Sequence, residues 1–199
     1  DRLGVIWDAN KKAGAKIDEV AETQLRGAPI DVEPAVQRFM ANLKKEDIVF
    51  DPQTGALDFN NSSIEGLTDL QGIIKRTINR IYNTKAPTAY DAHRAKRFLD
   101  EQVTYGKTQA GMSANMSRIL KELRHDLDGI LDQKFPDYDA ANTTYADTVG
   151  LLDGIQRLAG ERVDLLGPRT TNALGTMSRK ILSNYASGNE MLTTLDDIT

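Results

Sequence analysis

The sequence contains no cysteine, which excludes disulfide frameworks, thiolate metal sites and cysteine nucleophiles together. Only two histidines are present, His93 and His125, too far apart to form an HExxH zinc helix. No Gly-rich loop ends in Lys-Ser or Lys-Thr, and no GxSxG occurs, so the marks of a phosphate cradle and of a nucleophile elbow are both missing. No window reaches the roughly 18 apolar residues that a membrane span requires. The opening "DRLGVIWDANKK" has neither the basic start nor the apolar run of a signal peptide. A large charge of either sign is also missing: 25 Lys and Arg against 29 Asp and Glu leave −4, so any contact with nucleic acid must be local rather than a property of the whole surface. The chain starts at Asp1 rather than methionine and is expected to be a piece, or a processed product, of something longer.

What the 199 residues do contain is a globular balance, 40% hydrophobic and 27% charged, with apolar residues returning at intervals of three and four. Leu3, Ile6, Ala13, Ile17, Val20 and Ala21 form one stripe, which "RGAPI" interrupts. A shorter helix should begin at Pro34 and carry Val36, Phe39, Met40 and Leu43. "DIVFDPQTGALDF" breaks the period with two β-prone runs around a turn, which predicts a small hairpin between Ile48 and Phe59. Ser62 and Glu65 have capping-box spacing and are expected to open a helix through Leu67, Leu70, Ile74, Ile78 and Ile81. Further helices are expected from about Thr88 to Tyr105, Ser113 to Gln133 and Pro136 to Leu158. A last one should run through Leu174, Met177, Ile181 and Tyr185. The fold class is therefore mainly α: a bundle of about seven helices with antiparallel neighbours and one small β-hairpin near residues 48–59. Its parts would be an N-terminal helical pair (1–46), the hairpin or ordered loop (47–61) and a helical bundle (62–199), which together could form one domain.

One stretch looks like chemistry. "RHDLDGILDQKFPDYDAANTTY", residues 124–145, holds five aspartates and His125. On an ideal helix His125, Asp128 and Asp132 share a ridge, the spacing needed to aim several ligands at one ion. That ridge lies roughly 150° from the centre of the apolar face formed by Leu120, Leu123, Leu127, Ile130 and Leu131. It should face water, and no metal or cofactor is expected there. Tyr138, Ala141 and Tyr145 are expected on the buried side of the following helix. Between Lys75 and Arg97 stand seven lysines and arginines against Asp91 alone. Arg76, Arg80, Arg94 and Arg97 are the candidate phosphate contacts, with Tyr82 and Tyr90 available for stacking. Lys96 and Arg97 each have a carboxylate four residues on, Asp100 and Glu101, that would neutralise them. His93 is expected at the core edge or the surface rather than as a base. No catalytic residue is assigned.

Two segments carry a resemblance: "PTAYDAHRAKRFLDEQVTYG" (87–106) and "LKELRHDLDGILDQKFPDYDAANTTYADTVGLLDGI" (120–155). The second, a helix of type "LR..LD..L", a break with proline and tyrosine, then "AN..YA", is similar to helical stretches of large virion-associated proteins of tailed bacteriophages and prophages. The resemblance covers about half of the chain and rests on packing and turn patterns. It implies a structural or DNA-ejection component with helices that assemble. Its partners would be other virion proteins and copies of itself, and its place the virion, after synthesis in the bacterial host cytoplasm. It carries no catalytic residue over. Trp7 and Tyr185, apolar residues near the two ends, are the candidate partner contacts, although ordinary core is the commoner use of such residues. Two other readings stay open: a nucleic-acid contact module using the basic stretch 75–97, and a non-catalytic helical accessory domain of a larger enzyme.

Overall fold

A computed structural model describes residues 2–82, 86–103 and 112–159. Among these residues the chain is mainly helical, with six α-helices and one two-stranded antiparallel sheet. Helix α1 (Arg2–Val20) runs into a single π-helical stretch, Ala21–Leu25, and α2 (Glu33–Lys45) follows. Strands β1 (Val49–Phe50) and β2 (Leu57–Asp58) make the hairpin. Then come α3 (Thr68–Ile81), α4 (Ala89–Gln102), α5 (Ala114–Lys134) and α6 (Pro136–Ala159). The helix expected through Leu174 and Tyr185 lies outside the described residues.

The helix starts follow from local chemistry. Pro34 occupies the first turn of α2, where a missing N–H costs nothing. Thr88 accepts from the Asp91 N–H while the Asp91 carboxylate accepts from the Thr88 N–H, a reciprocal pair that satisfies two otherwise orphaned donors of α4. Ser113 caps α5 by accepting from Met116. By contrast, Ser62 and Glu65 do not cap a helix. The Ser62 hydroxyl donates to the Phe59 carbonyl at 2.6 Å, Glu65 accepts from the Asn61 N–H at 2.8 Å, and α3 starts later, at Thr68. The same two side chains serve a run of turns in which Asn61 and Gly66 take positive φ.

The chain divides into two compact units. One holds residues 20–139 and the other, among the described residues, 2–19 and 140–159. The hairpin, read from the sequence as the internal boundary, lies inside the first of these with helices on both sides of it. In that unit α5 packs against both α2 and α4, and α4 packs in turn against α3. Polar pairs give the direction of the neighbours. Arg38 meets Asp126 and Asn42 meets Glu122; Lys96 meets Asp128 and Asp100 meets Arg124. In both sets one number climbs by four as the other falls by four, so α5 runs antiparallel to α2 and to α4. Leu120, Leu123, Leu127 and Leu131 of α5 are at most 1% exposed. Burying each contributes about 1.5–3 kcal/mol, and this stripe is the centre of the unit.

The hairpin pairs Val49 with Asp58 and Phe50 with Leu57. Such a short ladder cannot stand alone. It is held by α2 at one end, where the Ile48 N–H donates to Leu43, and by the edge-to-face contact of Phe50 with Tyr82 after α3, centroids 4.8 Å apart. In the other unit Asn10 of α1 donates to the Thr148 hydroxyl of α6 at 3.0 Å, and the Tyr145 ring lies along Gly14. Ile6, Ala13, Ala141 and Leu152 are buried there. Tyr145 itself is 38% exposed, so of the three residues expected on the buried side of α6 it is the one that is not.

Candidate functional site

The densest set of polar side chains lies where α4 faces α5 and the first turn of α6. Lys96, 5% exposed, pairs with Asp128. Asp128 also accepts from Arg124 Nη1 at 2.7 Å, and Arg124 Nε donates to Asp100 at 2.9 Å. Two cations and two carboxylates thus alternate along the seam. Beside them the Tyr138 hydroxyl lies 2.8 Å from His93 Nδ1 and 3.4 Å from Lys96 Nζ. The Tyr138 ring stands edge-on to the His93 ring, with Lys96 Nζ 5.1 Å from its centroid. His93 is 4% exposed and Tyr138 is fully buried.

This overturns part of the sequence reading. Asp128 does not face water: its side chain is 17% exposed and tied to two cations. Lys96 does not pair with Asp100 along its own helix, but across to α5, and Asp100 goes to Arg124. His93, expected at the core edge or the surface, is buried. Of the proposed metal ridge, His125 is exposed and Asp132 half-buried, so the aspartate that would be the middle ligand is turned to a different use. No group of three or more His, Asp or Glu side chains able to hold a metal ion occurs among the described residues.

The arginines sit on α3 and α4. Arg76 and Arg80 both lie over the Phe98 ring, their guanidinium carbons 5.5 and 4.1 Å from its centroid. Each also donates to a carbonyl one turn back, Arg76 to Gly72 and Arg80 to Arg76. Arg94 and Arg97 are exposed on α4. The structure therefore brings Arg76 and Arg80 together on one ring. Of the tyrosines, Tyr82 packs on Phe50, and Tyr90 turns to the π-helical stretch, where its hydroxyl donates to Glu22 at 2.6 Å. Arg26 stacks over Tyr90 at 4.5 Å and also pairs with Glu22. The Arg26 guanidinium, helped by the Tyr90 hydroxyl, holds the Glu22 carboxyl down to about 2. Glu22 in turn pushes the Tyr90 phenol above its usual range. Trp7 is half-buried, with Lys11 Nζ 3.6 Å from its ring centroid, and Tyr185 lies outside the described residues.

Sequence reasoning missed the joining of His93, Lys96, Asp128 and Tyr138. The signal was there in α4, where three of the seven buried residues, Ala89, Ala92 and Ala95, are small. His93 and Lys96 lie three apart on the same side, so a helix with so little apolar bulk carries its polar residues inward. Chemically, the cluster joins helices: each member hydrogen-bonds or pairs with a residue of another element. Compared with known proteins, the chain matches no family model, and no curated protein or solved structure shows a significant match.

Proposed function

We propose that this chain is a non-catalytic structural or assembly segment of a large virion protein of a tailed bacteriophage or prophage, working through helix-mediated contacts with other virion proteins and copies of itself. A seventh helix through Leu174 and Tyr185, with Tyr185 and Trp7 at partner contacts, belongs to this reading. The observation that carries it is the use of the acidic stretch 124–145. Arg124, Asp126, Asp128, Asp137 and Tyr138 each bind a side chain of another segment, so the residues that look most like chemistry act as fasteners between helices. The stretch also lies within one of the two segments that carry the virion resemblance. Helical scaffolds of this kind commonly bury one face and offer another to a partner.

The test is the mass in solution, read by light scattering and small-angle X-ray scattering on the 22.0 kDa chain. The expected result is a whole multiple of that mass, or a radius of gyration well above the roughly 16 Å of a compact chain of this length. A monomer of about that radius at all concentrations overturns self-assembly and favours an accessory domain.

A nucleic-acid contact is the second reading, favoured by the convergence of Arg76 and Arg80 on Phe98, with Arg94 and Arg97 exposed on α4. Phosphate contacts release counterions, so binding to duplex DNA would weaken steeply with added salt. Unchanged binding after all four arginines become alanine would exclude them.

A further inference from the structure

Charge is spread unevenly through the unit of residues 20–139. Between Lys45 and Lys75 the chain has six carboxylates, Glu46, Asp47, Asp51, Asp58, Glu65 and Asp69, and no lysine, arginine or histidine. From Lys75 to Arg97 the balance reverses, with seven lysines and arginines against Asp91. Helix α3 stands between the two stretches. Lys75 and Tyr82, seven residues apart, share one ridge and reach the hairpin side, Lys75 over the Phe59 ring and Tyr82 against Phe50. Arg76 and Arg80 share another ridge, roughly 100–160° further round, and reach α4 through Phe98. The acidic hairpin and the basic α3–α4 face thus lie on different flanks of one helix.

The hairpin flank offers apolar surface as well as charge. Val49 and Asp58 are register partners and point to the same side of the ladder, where Val49 is 52% exposed. Phe50 takes the other side, where Tyr82 meets it. Val49, Leu67 and Tyr82 are three of the five exposed large apolar side chains among the described residues. Asp47, Asp58 and Glu65 are exposed and Glu46 is half-buried. Asp58 accepts from the Asn60 N–H and Glu65 from the Asn61 N–H, and among the described residues none of these four carboxylates makes an ion pair. Asp51 differs, since its carboxylate turns back onto Gln53 and Thr54 in the tip, and Asp69 lies in the first turn of α3, where the helix dipole favours it. On the basic flank Arg76, Arg80, Arg94 and Arg97 are all exposed. Of the carboxylates nearby in sequence, Asp91 closes the cap of α4, Asp100 pairs with Arg124, and Glu101 is exposed at the end of the helix.

We propose that the acidic hairpin flank of one copy, carrying Val49 and Asp58, docks on the Arg76–Arg94 face of a second copy of this chain. This rests on the self-assembly reading above and names its surfaces.

A second copy is the partner that satisfies both flanks at once. Nucleic acid would take up the arginines, but the same unit turns unpaired carboxylates toward it, and a polyanion leaves Val49 and Leu67 uncovered. Against another copy, opposite signs steer and orient the contact while the apolar side chains supply burial. Arginine is favoured in such contacts, and Phe98 beneath Arg76 and Arg80 positions their guanidinium groups. Because the two flanks differ, the contact is head-to-tail and repeats from copy to copy.

The experiment is sedimentation velocity of the full chain over a range of concentrations, with circular dichroism to check folding. It compares the wild type, the pair Arg76→Glu with Arg94→Glu, the pair Glu46→Lys with Asp58→Lys, and an equal mixture of the two variants. Each variant alone brings like charges together, and its dissociation constant is expected to rise at least about tenfold. The mixture is expected to associate nearly as well as the wild type, because each reversed flank meets an opposite charge in the other variant. A wild type that associates, with both variants equal to it, overturns this docking and leaves the assembly reading standing. A wild type that is monomeric at every concentration overturns both. Variants that dissociate and stay apart when mixed also overturn the docking, since matched charge would have restored it. An arginine variant of unchanged mass that no longer binds duplex DNA assigns the face to nucleic acid instead. Should a variant fail to fold, wild-type association undiminished in high salt refutes the docking.

Discussion

Helix α5 carries a charged seam on each flank, and the two are built differently. Toward α2 the pairs are Arg38–Asp126 and Asn42–Glu122, with the Arg38 side chain 62% exposed. Toward α4 the pairs are Lys96–Asp128 and Arg124–Asp100, with the Lys96 side chain 6% exposed. The residue types are nearly the same, and both seams step by four along antiparallel helices. What differs is water. At the α2 seam the Arg38 guanidinium keeps most of its hydration although the Asp126 side chain is 15% exposed, so pairing alters little. At the α4 seam the Lys96–Asp128 pair gives up its hydration on both sides, while Arg124 and Asp100 keep part of theirs, so the inner pair depends on both partners being present. Similar chemistry thus sets orientation on one side and makes the packing conditional on the other.

Removing one partner from the inner seam should have the largest effect. Asp128→Ala leaves Lys96 and Arg124 facing each other without their shared carboxylate, and a loss of about 3–5 kcal/mol in denaturant unfolding is expected. Adding Lys96→Met to it should recover much of that loss, since the buried ammonium goes too. If the double variant is as unstable as the single one, the dependence lies elsewhere than in the pair. Thr88→Ala should cost about 1 kcal/mol, because it removes the cap at the start of α4 without touching either seam. On the outer seam a double-mutant cycle on Arg38 and Asp126 should give a coupling of about 0.2–1 kcal/mol that shrinks further in high salt. A coupling as large as that of Lys96 with Asp128 would erase the contrast.

The smallest effect concerns Glu22. Its carboxyl is held from the ordinary 4.5 down to about 2 by Arg26 and Tyr90, so what the pair contributes is fully present above 4.5 and disappears as pH falls through about 2. Arg26→Ala should move its NMR titration back toward the ordinary range, while unfolding near neutral pH changes little.

Much of the helical framework was legible because it depends on local rules. Pro34, Ser113 and Pro136 mark α2, α5 and α6 to within a residue, and the hairpin falls inside 48–59. The Ser62–Glu65 spacing misled because a capping box and a run of turns can use the same two side chains: here Glu65 still accepts a backbone N–H, but the Ser62 hydroxyl donates to a carbonyl instead of accepting. Asp128 was misplaced for a different reason. A helical wheel measures the angle from the apolar stripe, but α5 has neighbours on two flanks, so the covered arc is wider than the stripe. His93 and Tyr138 stand forty-five positions apart, and no local pattern announces a bond of that range.

The tip of the hairpin has one more consequence. Residues 51–56 close on themselves: the Asp51 N–H donates to Ala56, the Gly55 N–H returns to the Asp51 carbonyl, and the Asp51 carboxylate holds the Gln53 N–H and the Thr54 hydroxyl. Gly55, at φ +71, supplies the left-handed residue that completes the circuit. Gln53 and Thr54 are exposed, and none of these bonds reaches a helix. The tip is therefore a natural place to graft an epitope or a fluorophore, since cargo placed there meets neither charged seam and leaves the Leu stripe of α5 untouched.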